Sequence, residues 1–81
     1  MTLSLDGRTK ICGIIGHPLE HTLSPLMHNA AFVHLNLNFV YLPFPVPPED
    51  LERAIAGIRA LRFAGFNVTH PYKETVIKYL D

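Results

Sequence analysis

The chain has 81 residues, enough for one small domain whose single core is only just sufficient. Apolar residues make up 48% of it, which argues against disorder and for a packed globular domain. Lys and Arg total 7, as do Asp and Glu, and this balance gives no electrostatic footprint for nucleic acid or an anionic membrane.

The opening "MTLSLDGRTK" has no long apolar core after a basic start, so it does not read as a signal peptide. No apolar run approaches the roughly 20 residues needed to span a bilayer. "TKICGIIG" is short, apolar and rich in isoleucine, and predicts a strand from Lys10 to Ile15. Within it lies the only cysteine, Cys12, read as a buried structural thiol of a cytoplasmic protein. A loop with Gly16 and Pro18 follows. "SPLMHNAAFVHL" then predicts a helix with Ser24 as N-cap and Pro25 at the first helical position. "NFVYLPFPV" predicts a second strand, ended by Pro43 and Pro45.

"PPEDLERAIAGIRALR" is the clearest helix. Its acids lie near the positive end and Arg59 and Arg62 near the negative end. Leu51, Ile55, Ile58 and Leu61 or Arg62 trace one face. "FAGFNV" predicts a third strand from Ala64 to Val68, and "YKETVIKYL" a short third helix. The order β-α-β-α-β-α implies an α/β fold: an open, mostly parallel sheet in a three-layer α-β-α arrangement. Three strands leave edges that a parallel sheet normally covers, so Met1 reads as a true start and Asp81 as a cut.

Two loops could carry chemistry. In "HTLSP", Thr22 and Ser24 precede a helix start, where unpaired N–H groups and partial positive charge suit a small anion such as a carboxylate. Local physics alone favours the plainer reading, in which Ser24 caps and Thr22 turns. In "NVTHPYKE", Thr69 and Lys73 leave the third strand. Ligands of parallel sheets bind outside the carboxyl ends of the strands, and both loops leave strands at that end. Lys73 could therefore reach a ligand held by Thr22 and Ser24 and act in proton transfer. A solvated lysine in the first turn of a helix is the competing reading. His17 and His21 are four apart, but Pro18 intervenes and no acidic or cysteine cluster completes a metal set. Gly13 and Gly16 form only G-x-x-G, without a dinucleotide or phosphate-loop fingerprint. Phe39, Tyr41, Phe44, Phe63 and Phe66 read as core.

Together, "GHPLEHTLSPLMHNAAF" and "GFNVTHPYKE" resemble the N-terminal, substrate-binding domain of shikimate dehydrogenase. The family pattern is glycine-x-proline-x-x-histidine-serine-x-serine-proline, followed downstream by Asn-Val-Thr-x-Pro-Tyr/Phe-Lys. Both motifs occur here in order, and the resemblance extends over nearly all of the chain from Lys10. It implies a reversible, NADP-linked reduction of 3-dehydroshikimate to shikimate, on the route to aromatic amino acids, with NAD as the other candidate cofactor. It further implies that Thr22 and Ser24 bind the substrate carboxylate and that Thr69 hydrogen-bonds the substrate. Lys73 would be the catalytic lysine, and Asn67 and Tyr72 supporting residues. Hydride transfer to a ketone creates an alkoxide, which a nearby ammonium can stabilise or protonate.

The resemblance also implies a cytoplasmic enzyme, with a homodimer as a possible assembly. Thr22 departs from the usual serine. The hydroxyl survives, but the added methyl narrows the pocket and leaves the preference between shikimate and quinate open. The asparagine and aspartate that complete the family's site, and the Rossmann-type NADP-binding domain, would lie beyond Asp81, so residues 1–81 are expected to be part of the substrate domain. The alternative is a stand-alone, non-catalytic module that binds a small hydroxy-carboxylate.

Overall fold

The computed structural model of the chain describes residues 4–79. In order these form β1 (Lys10–Gly16), α1 (Ser24–His34), β2 (Phe39–Pro45), a 3-10 turn (Pro48–Asp50) leading into α2 (Leu51–Ala60), β3 (Gly65–Val68) and a 3-10 helix (Thr75–Tyr79). The strands form one sheet in the order β2-β1-β3, parallel throughout. In register, Cys12 lies between Tyr41 and Gly65, and Ile14 between Pro43 and Asn67.

The topology explains the layering. The crossover from β1 to β2 runs one way across the sheet, and that from β2 to β3 runs back past β1. Crossovers of the same right hand must then put their helices on opposite faces. The core divides accordingly, because successive strand residues point to opposite faces. Ile15, fully buried, packs with Val46, Leu51, Ile55, Tyr72 and Val76 on the α2 side. Ile14 packs with Leu19, Tyr41 and the partly buried Cys12 and Phe32 on the α1 side. The result is the expected three-layer α/β arrangement, with a three-stranded, all-parallel sheet. The two layers differ in quality. Helix α2 buries Leu51 and Ile55, whereas α1 buries no residue fully and leaves Leu26 and Met27 exposed.

Four local expectations need correction. Pro45 is the last residue of the second strand, as expected, but Pro43 lies within it. The Val46 N–H donates to the Gly16 carbonyl of β1, while the Tyr41 N–H points the other way, to Asn29 Oδ1. Residues 43 and 45 share the outward parity of Tyr41. On this edge strand, therefore, neither proline removes a donor from the ladder. The helix expected after Tyr72 is a five-residue 3-10 segment that starts at Thr75, and Lys73 lies in the turn before it; the expected end at Leu80 lies outside the described residues. Leu61 is 73% exposed and does not extend the apolar face of α2. Cys12 is half-buried rather than fully buried.

Candidate functional site

The carboxyl ends of β1 and β3 form one rim because their pairing continues beyond the strands. The Thr69 N–H donates to the Ile15 carbonyl at 2.9 Å, and the His17 N–H donates to the His70 carbonyl at 3.2 Å. Both loops contain a cis peptide, at His17–Pro18 and His70–Pro71. The approach is close enough to require glycine at the end of β1. A Cβ on Gly16 would lie 2.5 Å from Thr69 Cγ2 and 2.9 Å from Leu19 Cδ2. Gly16 is thus a residue that fits the two halves of the rim together. Its place at a strand end was legible in the sequence, but its neighbour was not.

Three clefts follow one another around this rim and down the α1 face of the sheet. A cleft of about 360 Å³ brings together Thr22, Ser24 and Thr69, with Glu20 and His21 also on its wall. The two loops read from the sequence as partners do meet here. Lys73 lines an adjoining cleft of about 390 Å³ with His70 and Glu74. Thr69 belongs to both, so it stands between the hydroxyl pair and the lysine. Lys73 is exposed, and among the described residues it has no ion pair. A third cleft, about 310 Å³, contains Asn67, Tyr41, His28 and Cys12. Asn67 and Thr69 share strand parity, as do Cys12 and Ile14. The third cleft therefore lies one pleat below the first on the same face.

The helix start is shifted by one residue from the sequence expectation. Leu23 occupies the N-cap and makes no side-chain cap bond, and Pro25 falls in the first turn after Ser24. The Ser24 N–H donates to Thr22 Oγ1 at 3.3 Å. Thr22, rather than Ser24, is the hydroxyl engaged by the helix start. The Thr22 oxygen acts as acceptor, which leaves its O–H proton to be donated elsewhere. The Ser24 hydroxyl, half-buried, has no partner among the described residues. The first turn of α1 contains no acidic residue, so its partial positive charge is not offset from within the helix.

Tyr72 lies apart from the clefts. It is 4% exposed, and its hydroxyl donates to the Val46 carbonyl at 2.6 Å. Burial, with a smaller contribution from the Glu49 carboxylate, pushes its phenol above the ordinary value. The Tyr72 N–H donates to the Thr69 carbonyl at 3.0 Å. Tyr72 thus roots the turn from Thr69 to Lys73 in the α2-side core. Asn67 donates from Nδ2 to the Tyr41 hydroxyl at 2.8 Å. Sequence reasoning assigned Tyr41 to the core by default and read nothing into His28, whose ring stacks on Tyr41 at 4.3 Å. No local signal marks this pair, because it depends on β2 lying beside β1.

Among the described residues no three His, Cys, Asp or Glu come together as a metal set, and no helix is long and apolar enough to cross a membrane. The glycines of β1 do not fit a dinucleotide. The space beside Gly13 is filled by the Phe44 ring and the Leu42 carbonyl, and that beside Gly16 by Thr69 and Leu19. Neither leaves backbone open to a pyrophosphate.

Comparison with known proteins is consistent with this architecture. Residues 14–81 match the family model of the shikimate dehydrogenase substrate binding domain. The chain is 57% identical over 77 residues to shikimate dehydrogenase (NADP(+)) of Rubrobacter xylanophilus, covering 95% of this chain and 27% of that protein. It is 58% identical over 79 residues to the enzyme of the same name from Carboxydothermus hydrogenoformans, covering 98% of this chain and 28% of that one. The crystal structure of shikimate 5-dehydrogenase from Listeria monocytogenes in complex with shikimate and NAD superimposes with a TM-score of 0.94 at 43% identity, over 100% of this chain and 28% of that one. The chain thus spans a little over a quarter of the length of these relatives. With both motifs on one rim and the whole described fold matched, the chain belongs to the shikimate dehydrogenase substrate-binding domain family.

Proposed function

We propose that this chain is the part of an NADP-dependent shikimate dehydrogenase that binds shikimate and 3-dehydroshikimate and presents the reacting oxygen to Lys73. The observation that carries this reading is the meeting of Thr22, Ser24 and Thr69 in one cleft next to Lys73. Thr22 and Ser24 each have a hydroxyl proton to donate beside the positive end of α1, a chemistry suited to a carboxylate. Glu20, on the same wall, would repel an anion, so the carboxylate belongs on the Ser24 side of the cleft.

Thr69 bridges the two clefts and hydrogen-bonds the ring between them. Lys73 holds a proton at Nζ beside the oxygen that alternates between ketone and alcohol, and its charge favours the alkoxide. NADP, or NAD in its place, supplies hydride when bound. The filled space beside Gly13 and Gly16 argues against β1 as its site. Residues 1–81 are accordingly one part of the substrate domain, and the chain alone turns over no substrate.

The test is a chimera of the Rubrobacter xylanophilus enzyme in which this chain replaces the matching residues. Lys73→Ala should lower kcat on the order of 10² to 10⁴, the range of a general acid–base group. Ser24→Ala should chiefly raise KM, because it removes a ground-state contact. An unchanged kcat in Lys73→Ala would return the lysine to the solvent-exposed reading. A Ser24→Ala effect confined to thermal stability would leave the serine without a ligand.

A further inference from the structure

Tyr41 is held from three sides. Its backbone is clamped by the Asn29 side chain, which accepts from the Tyr41 N–H at 2.8 Å and donates to the Tyr41 carbonyl at 2.9 Å. Its ring, 2% exposed, lies under the His28 imidazole with centroids 4.3 Å apart and planes 13° from parallel. Its hydroxyl accepts from Asn67 Nδ2 at 2.8 Å. Tyr41 is on β2 and Asn67 on β3, and β1 lies between them. The hydroxyl therefore reaches over the central strand to an amide two strands away.

The two ends of this arrangement belong to the two halves of the site. His28 and Asn29 stand on α1 one turn beyond Ser24, at the positive end of which the hydroxyl pair lies. Asn67 stands two residues before Thr69, on the same face of β3. Among the described residues, Asn67 Oδ1 has no partner. The bond to Tyr41 thus holds the amide in one orientation while an acceptor and one N–H remain available. We propose that Tyr41 is a positioning residue: it sets the spacing between the Thr22–Ser24 half and the Asn67–Thr69 half, and orients the Asn67 amide toward a polyhydroxylated ring. This inference rests on the substrate reading above. A residue that merely ties two strands could make the same bonds, so the test must separate the roles.

Tyr41→Phe keeps the ring stack and the Asn29 clamp and deletes only the hydroxyl. In the chimera, its KM for shikimate should rise about tenfold, the fold-change that one net hydrogen bond corresponds to. Its kcat should stay within about twofold and its melting temperature within a few degrees. Asn67→Ala should raise KM similarly, and the double variant should be no worse than the worse single one, because both remove the same oriented amide. An unchanged KM in Tyr41→Phe, a loss of stability alone, or fully additive KM effects would overturn the positioning role while leaving the substrate reading intact. If the unmutated chimera shows no shikimate-dependent turnover, the substrate reading itself falls and the positioning role falls with it.

Discussion

At the scale of single residues, two glycines with opposite surroundings give opposite expectations for one substitution. Gly16 lies where a Cβ would be 2.5 Å from Thr69 Cγ2 and 3.1 Å from the His70 carbonyl oxygen. Threonine is β-branched and stiff at χ1, so the contact cannot be relieved by swinging a long side chain away. The rim loop must move instead. Gly57, inside α2, has nothing within 4 Å of its would-be Cβ. Gly16→Ala should destabilise the chain by about 1–3 kcal/mol, as overpacking does. Gly57→Ala should stabilise it by about 0.5–1 kcal/mol, because alanine restricts the unfolded chain and favours helix. Denaturant melts of both variants would check this. A neutral Gly16→Ala would mean that the two rim loops are not packed as described. Gly16→Ala should also weaken shikimate binding beyond what its stability loss explains, because Thr69 is the residue displaced.

At the scale of elements, both helices end in the same motif with different residues at its left-handed position. After α1, the Asn36 N–H donates to the Val33 carbonyl and the Leu37 N–H to the Phe32 carbonyl, with Asn36 at φ 57°. After α2, the Arg62 N–H donates to the Arg59 carbonyl and the Phe63 N–H to the Ile58 carbonyl, with Arg62 also at φ 57°. Asparagine tolerates that conformation, whereas arginine is strained there by about 1–2 kcal/mol. Arg62→Gly should raise stability by about 0.5–1 kcal/mol, since glycine's greater unfolded-state freedom offsets part of the relief. A lower melting temperature would show that the Arg62 side chain contributes more than its backbone costs. Element order was legible in the sequence because the hydrophobic period changes between strand and helix at each boundary. Pro43 was misread as a terminator because edge position is a property of the sheet, not of the segment. Ser24 was misread as the cap because Thr22 and Ser24 both offer hydroxyls, and local sequence does not decide which one the helix start takes. The meeting of the two rim loops followed from parallel topology, but the bond from Tyr41 to Asn67, 26 residues apart, depended on register.

At the scale of the whole molecule, the parallel sheet has a chemically distinct end at each side. The rim lies at the carboxyl ends of the strands, and the base is tied at their amino ends by a small polar cluster. There the Lys10 N–H donates to the Asn38 carbonyl where β1 and β2 begin to pair. Asn38 Nδ2 donates to Asp6 Oδ1 at 3.0 Å, Thr9 Oγ1 donates to Asn38 Oδ1 at 2.7 Å, and the Arg8 N–H donates to Asp6 Oδ1 at 2.8 Å. The Asn38 amide, followed by the Arg8 N–H, holds the Asp6 carboxyl below the ordinary carboxylate value. A depressed folded-state pKa means that the unfolded chain binds the proton more readily. The contribution of Asp6 is therefore fully present above its unfolded value of about 3.9, and is lost as pH falls through the lower folded value. Because Asp6 is exposed, the effect is local: the base should loosen first. In an amide NMR titration from about pH 5 to pH 2, the resonances of Arg8, Thr9 and Asn38 should move together, with a midpoint below that of a free aspartate. Asp6→Asn should abolish this transition while leaving the rim resonances of Thr22, Ser24 and Thr69 where they were at neutral pH. If the base and rim instead titrate as one, or if Asp6→Asn shifts the rim at pH 7, the two ends are coupled through β1. The substrate cleft would then depend on the turn at the opposite end of the sheet.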